Sequence, residues 1–134
     1  MAMMQQGVEL MTGGVLFLLG LSFVKSTASW VGWFDDVRTD ETYRSIPIGC
    51  FTLLISSFIV AFHPVWNGFF MLVTLFGVLG IIEGAMYLLF PNVLKSILGY
   101  LAAGIETAIN LWGCLFSLLG LTILFKLWEN SQIF

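Results

Sequence analysis

Long uncharged apolar runs, each closed by a proline, a tryptophan cluster or a lysine, set the pattern of this chain. A helix that crosses a bilayer takes about 20 apolar residues, with about 17 as the lower limit. Four stretches meet that measure: residues 10–30, 46–62, 65–90 and 107–125. The first is interrupted by Lys25, continues without charge, and closes on Trp30, Trp33 and Phe34. Lysine snorkels and tryptophan prefers the headgroup level, so this end reads as an aromatic belt. The segment 35–44 is then a short solvated loop. Ser45 can cap the second run, and Pro47 suits its first turn, where a missing N–H costs nothing. His63-Pro64 and Trp66-Asn67-Gly68 mark a tight turn into the third run, which stops at Pro91.

Between the third and fourth runs, Val93, Leu94, Ile97, Leu98, Leu101, Ala102 and Ile105 recur at helical spacing on one face. Residues 91–105 therefore read as an interfacial helix in the membrane plane, or as the start of one long helix from Ser96 to Lys126. The expected fold is an all-α membrane protein: four transmembrane helices as two tandem hairpins, residues 1–64 and 65–134.

Composition agrees with the pattern. Of 134 residues, 59% are hydrophobic and only 10% charged, with a mean hydropathy of +0.99. A soluble domain of this size could not hide so much apolar surface. Six of the thirteen charged residues lie between Asp35 and Arg44. No basic patch is present, so nucleic-acid binding is not expected. Cys50 and Cys114 lie inside apolar runs and read as small buried residues, not as metal or redox sites. The N-terminus has no basic region and no small-residue cleavage site, so the first run is expected to stay as a span. Lys25, Arg38, Arg44 and Lys95 flank the first and third connections, which places loops 31–45 and 91–106 in the cytoplasm.

An offset of 64 residues brings Gly13 onto Gly77, Gly20 onto Gly84, Gly49 onto Gly113, Cys50 onto Cys114 and Leu54 onto Leu118. The placement suggests a tandem duplication of a two-helix unit. Within the second unit, Glu83-Gly84, Pro91, Lys95, Trp112 and Gly113 follow one another at a spacing that resembles the small two-helix inner-membrane proteins of the YjeT type. The resemblance covers roughly residues 75–125 and implies a bacterial inner membrane. It implies no activity, since that family's function is unknown. Where the family often has basic residues before the glycine, this chain has Asn110 and Leu111.

Glu83 is the strongest single candidate for chemistry. Seven residues before Phe90 at about 1.5 Å per residue, it sits roughly 10 Å below the interface. Such a carboxylate costs about 2.5–3.5 kcal/mol or more, and marks proton or ion sites in bundle interiors. The structural alternative is a protonated carboxyl hydrogen-bonded to a neighbouring helix. Gly77, Gly80 and Gly84 form a small-residue face with GxxxG spacing, as Gly113, Ser117 and Gly120 do on the last helix; these favour close helix approach. Glu106 and Asn110 read as a cap and interface anchor, and His63 as a solvated turn residue. No nucleophile–base pair, metal-ligand spacing or phosphate loop appears, and one histidine cannot make a bis-His haem. No cofactor or metal is expected.

The expected function is a non-enzymatic accessory or assembly subunit that packs on other membrane helices, as a homo-oligomer or with other membrane proteins in the lipid bilayer. The alternative is a small channel or proton-coupled transporter using Glu83. A more distant reading gives Glu83 or Glu106 to an enzyme site shared with another chain.

Overall fold

The computed structural model describes residues 2–39 and 45–131, and every regular element in them is a helix. These are α1 (Ala2–Lys25), α2 (Thr27–Thr39), α3 (Ser45–Phe62), α4 (Met71–Leu89), α5 (Pro91–Leu101) and α6 (Ile105–Ser131). Three stretches are long and apolar enough to cross a membrane: Met3–Lys25, Met71–Leu89 and Pro91–Asn130. The apolar part of α3, Ile46–Phe62, is shorter.

Several boundaries differ from expectation. The loop expected at 31–45 is helical as far as Thr39. Asp35 and Arg38, which read as loop charges, form an i,i+3 ion pair on the exposed side of α2, while Val37 is buried on the other side. Asp40, Glu41 and Arg44 lie outside the described residues. The third run starts at Met71, not at 65. Residues His63–Phe70 are held out of the helix by Gly68, whose φ of +72° is left-handed, and by main-chain bonds such as Val65 N–H to the His63 carbonyl at 2.9 Å. The stretch 91–105 is helical, as both readings expect. α5 and α6 are separate helices, yet only a three-residue 3-10 turn, Ala102–Gly104, joins them. Helix α6 is longer than the expected 107–125. Its final turns carry the ion pair of Lys126 and Glu129, at 2.7 Å.

Packing runs across the two expected hairpins. Antiparallel α1 and α6 lie along each other, as do α3 and α4, whereas α1 and α3 meet only sparsely. The reason is glycine. A methyl group at Gly20 would stand 2.4 Å from the Ser117 nitrogen and 2.6 Å from the Gly113 carbonyl oxygen. At Gly84 it would stand 2.8 Å from the Leu53 nitrogen and 3.0 Å from the Gly49 carbonyl oxygen. In lipid no water drives helices together, so such backbone approach is what pairs them.

The two seams correspond under the 64-residue offset. Gly13 meets Ile123 and Leu124, as Gly77 meets Ile59 and Val60; Gly113 meets Gly20, Phe23 and Val24, as Gly49 meets Gly84, Tyr87 and Leu88. The same offset carries α2 onto the stretch that begins α5. The two pairs thus carry glycine contacts at matching positions of the 64-residue offset, with Leu16, Ile59, Val73 and Ile123 buried in one cluster. A second cluster of Val37, Tyr87 and Leu98 ties α2 and α5 to α4. Cys50 and Cys114, expected to be buried, face outward at corresponding positions.

Candidate functional site

Of the polar side chains set among apolar ones, Glu9, His63, Thr74 and Glu83 carry the candidate chemistry. The first three form one cluster. Glu9 comes from α1, His63 from the residue after α3, and Thr74 from the first turn of α4. His63 and Thr74 are fully buried and Glu9 nearly so. His63 Nε2 lies 2.8 Å from Glu9 Oε1, and Nδ1 lies 3.0 Å from the Thr74 hydroxyl.

The protons in this cluster can be placed from geometry. The Thr74 oxygen is 2.6 Å from the His63 carbonyl oxygen and 2.8 Å from that of Val65. Two oxygens that close need a hydrogen between them, so the single Thr74 hydroxyl hydrogen lies on the carbonyl side, given to one of the two carbonyls or shared between them. The hydroxyl oxygen then accepts from Val65 N–H, at 3.2 Å, and from His63 Nδ1–H. With Nδ1 protonated, the contact between Nε2 and Glu9 holds one further proton, shared by the pair. The hydroxyl and both imidazole nitrogens thereby have partners in a buried site. Threonine, histidine and glutamate in a row suggest a nucleophile, its base and an orienting acid. Here the hydroxyl hydrogen points away from the imidazole and no surface of the threonine is open, so the arrangement ties α1 to the α3–α4 turn and does not activate Thr74.

Glu83 is different. It lies on α4 one residue before Gly84, and among the described residues no hydrogen bond reaches its carboxylate. The expected bond to a neighbouring helix is absent there. The side chain instead lines an open groove of about 670 Å³ between α1 and α3, floored by α4. Leu16, Phe51, Ile55 and Phe76 supply apolar walls, Ser29, Thr52 and Ser56 supply hydroxyls, and Trp30 and Trp33 stand in the same lining. Those two rings are 5.7 Å apart and inclined at 77°. Trp30 is fixed by donating its indole N–H to Ser22, at 3.0 Å. The groove continues towards Val8 as a narrower apolar cleft of about 270 Å³.

The other expected residues fall elsewhere. Gly77, Gly80 and Gly84 lie in the α3–α4 seam and Gly113 in the α1–α6 seam. Gly80 also lines the groove, where a methyl group would meet the Ser56 hydroxyl. Asn110 meets the Thr27 hydroxyl at 3.0 Å and anchors the start of α2 to α6. Glu106 is exposed in the first turn of α6 and belongs to neither site. The Glu9–His63–Thr74 cluster was missed because His-Pro reads locally as a turn. One signal could have found it: if the first two apolar runs both cross a bilayer, Glu9 and His63 end at the same face.

No protein-family model, no curated protein and no solved structure matches this chain.

Proposed function

We propose that this chain is a four-span integral membrane protein of a bacterial inner membrane that carries a solute by way of Glu83, as a small proton-coupled transporter. In this reading α3 makes the fourth span despite its length, because its 17 apolar residues stand at the lower limit for crossing. Helices α2 and α5 then lie at the cytoplasmic face, with Lys25, Arg38 and Lys95 near them.

One observation carries the reading. A carboxylate in the middle of an apolar helix opens into a groove, with no hydrogen bond from the described residues. Acids in membrane helices are costly and ordinarily face a bundle interior or a cavity that uses them. The accessory-subunit reading rested on the lack of any motif for chemistry together with the small-residue faces of α4 and α6. Those faces meet α3 and α1 of the same chain, which removes their demand for an outside partner.

A hydrophobic carbodiimide, which modifies protonated carboxyls from within the bilayer, tests the reading on the protein in liposomes. Modification should fall on Glu83, disappear in Glu83→Gln, and spare the buried Glu9. A label that never reaches Glu83 would sink the proposal. Copurification of a stoichiometric membrane protein whose removal is needed for labelling would favour the accessory reading instead.

A further inference from the structure

The groove is selective in what it offers a ligand. It presents one acid, no base, three hydroxyls and a wall of aromatic and aliphatic carbon. An anion would meet Glu83 and gain nothing. A primary ammonium would engage Glu83 and the hydroxyls through its three N–H donors but would leave the aromatic and aliphatic walls uncovered. A cation without N–H groups needs only a negative charge, aromatic faces and apolar walls. Trp30 and Trp33 both line the groove and meet edge to face. The Trp30 N–H is already engaged by Ser22, which leaves the ring's π-face as its contribution. Phe51 and Phe76 line the same space, and Phe51 is 69% exposed to it and the surrounding lipid. A volume of about 670 Å³ suits a bulky organic ion and not a metal ion. The sparse contact between α1 and α3 leaves the groove open along its side, so an apolar ion dissolved in lipid can enter.

We infer that the groove binds a lipophilic monovalent cation lacking N–H donors, a quaternary ammonium or phosphonium, between the Glu83 carboxylate and the Trp30–Trp33 pair. This rests on the reading of Glu83 given above. Recognition divides between charge and π-face, as in aromatic cages for quaternary ammonium groups.

Tetraphenylphosphonium is a suitable probe for the purified protein in mild detergent, read by calorimetry and tryptophan quenching. Saturable one-to-one binding is expected. Glu83→Gln should weaken it by about ten-fold or more, and Trp33→Ile by about ten-fold. Melting curves that match wild type would show that these losses are not unfolding. Tetraphenylborate, nearly the same shape with opposite charge, should not bind. Equal binding of both ions, or binding unchanged in Glu83→Gln, would overturn the inference in favour of unspecific partition into an apolar cleft. The two proposals fail separately. Carbodiimide labelling of Glu83 without phosphonium binding would refute the ligand class and keep the site. No labelling would remove the site and the ligand class together.

Discussion

The α1–α6 pair and the α3–α4 pair are built alike where their backbones touch and differ where they carry polar groups. Gly13, Gly20 and Gly113 do in one pair what Gly77, Gly84 and Gly49 do in the other. At corresponding positions, however, Glu9 faces Val73 in the alignment of the two units, His63 faces Leu127, Thr74 faces Leu10, and Glu83 faces Leu19. Each intramembrane polar group thus has an apolar counterpart in the other unit. The difference separates two roles: the shared glycines hold the fold, and the unshared polar residues add something the fold does not need. Leu127 and Leu10 show that the units can close a seam without a histidine or a threonine.

The largest effect should come from the shared positions. Gly20→Leu and Gly84→Leu each put a side chain against main-chain atoms of the facing helix, at which flexible neighbours cannot yield. Overpacking typically costs about 1–3 kcal/mol, and a clash with backbone should exceed that range. Both variants should lose folded protein in detergent, judged by melting and elution profile, and to similar degrees. Gly14→Leu, with open space around it, is the control that should melt normally. A large effect at Gly20 with none at Gly84 would break the correspondence of the two seams.

Much of this architecture was legible in the sequence, and what was not has a physical explanation. The long uncharged runs stood out, and helices α1, α3, α4 and α6 follow them, three of the stretches being long and apolar enough to cross a membrane. Helix α2 was hidden by Asp35, Asp36 and Arg38, whose charges read as loop, although Trp30, Phe34 and Val37 recur at helical spacing. The 64-residue offset already laid that stretch on the helix expected at 91–105. Seam partners could not be read, because a glycine face states how close a neighbour comes and not which one. The burial of His63 depends on Glu9, 54 residues away, and no local pattern carries that information.

Next in size is the buried cluster. His63→Leu installs the residue that the other unit has at this position, but it strands Glu9 in an apolar site. Removing one partner of such a pair costs about 3–5 kcal/mol. The triple change Glu9→Val, His63→Leu and Thr74→Leu copies the other unit in full and should recover the part of that loss due to stranding Glu9, since no buried charge is then left without a partner, while the loss of the Thr74 hydroxyl remains. Chemical denaturation of both variants measures the difference. If the triple variant is as unstable as the single one, the cluster does more than close a seam.

A smaller effect is expected from Thr74→Val. The hydroxyl that bridges two carbonyls, one N–H and the imidazole is lost, while the shape is kept. Leaving buried hydrogen-bonding groups unmet costs about 1–3 kcal/mol. The loss should concentrate in the α3–α4 turn, so hydrogen exchange at Val65 should quicken before exchange in α1 changes. Uniform quickening along all helices would show that the turn and the pairs open together.

The smallest change in stability should follow substitution of Glu83, and this outcome sharpens the comparison most. Its counterpart Leu19 shows that a hydrocarbon fits the fold at this register. No hydrogen bond from the described residues holds the carboxylate, so Glu83→Ala has none to remove, and Glu83→Gln has none to preserve. Both variants, and Glu83→Leu, should melt within about 0.5 kcal/mol of wild type, as substitutions away from packed or bonded groups do. Glu9 sets the contrast, since Glu9→Gln disturbs a pair that shares a proton and should cost several times more. If Glu83 is retained for a ligand, its variants should be stable yet fail in carbodiimide labelling and phosphonium binding. Should Glu83→Leu instead destabilise as strongly as His63→Leu, the carboxylate would be serving the fold, and the division between shared glycines and unshared polar groups would not hold.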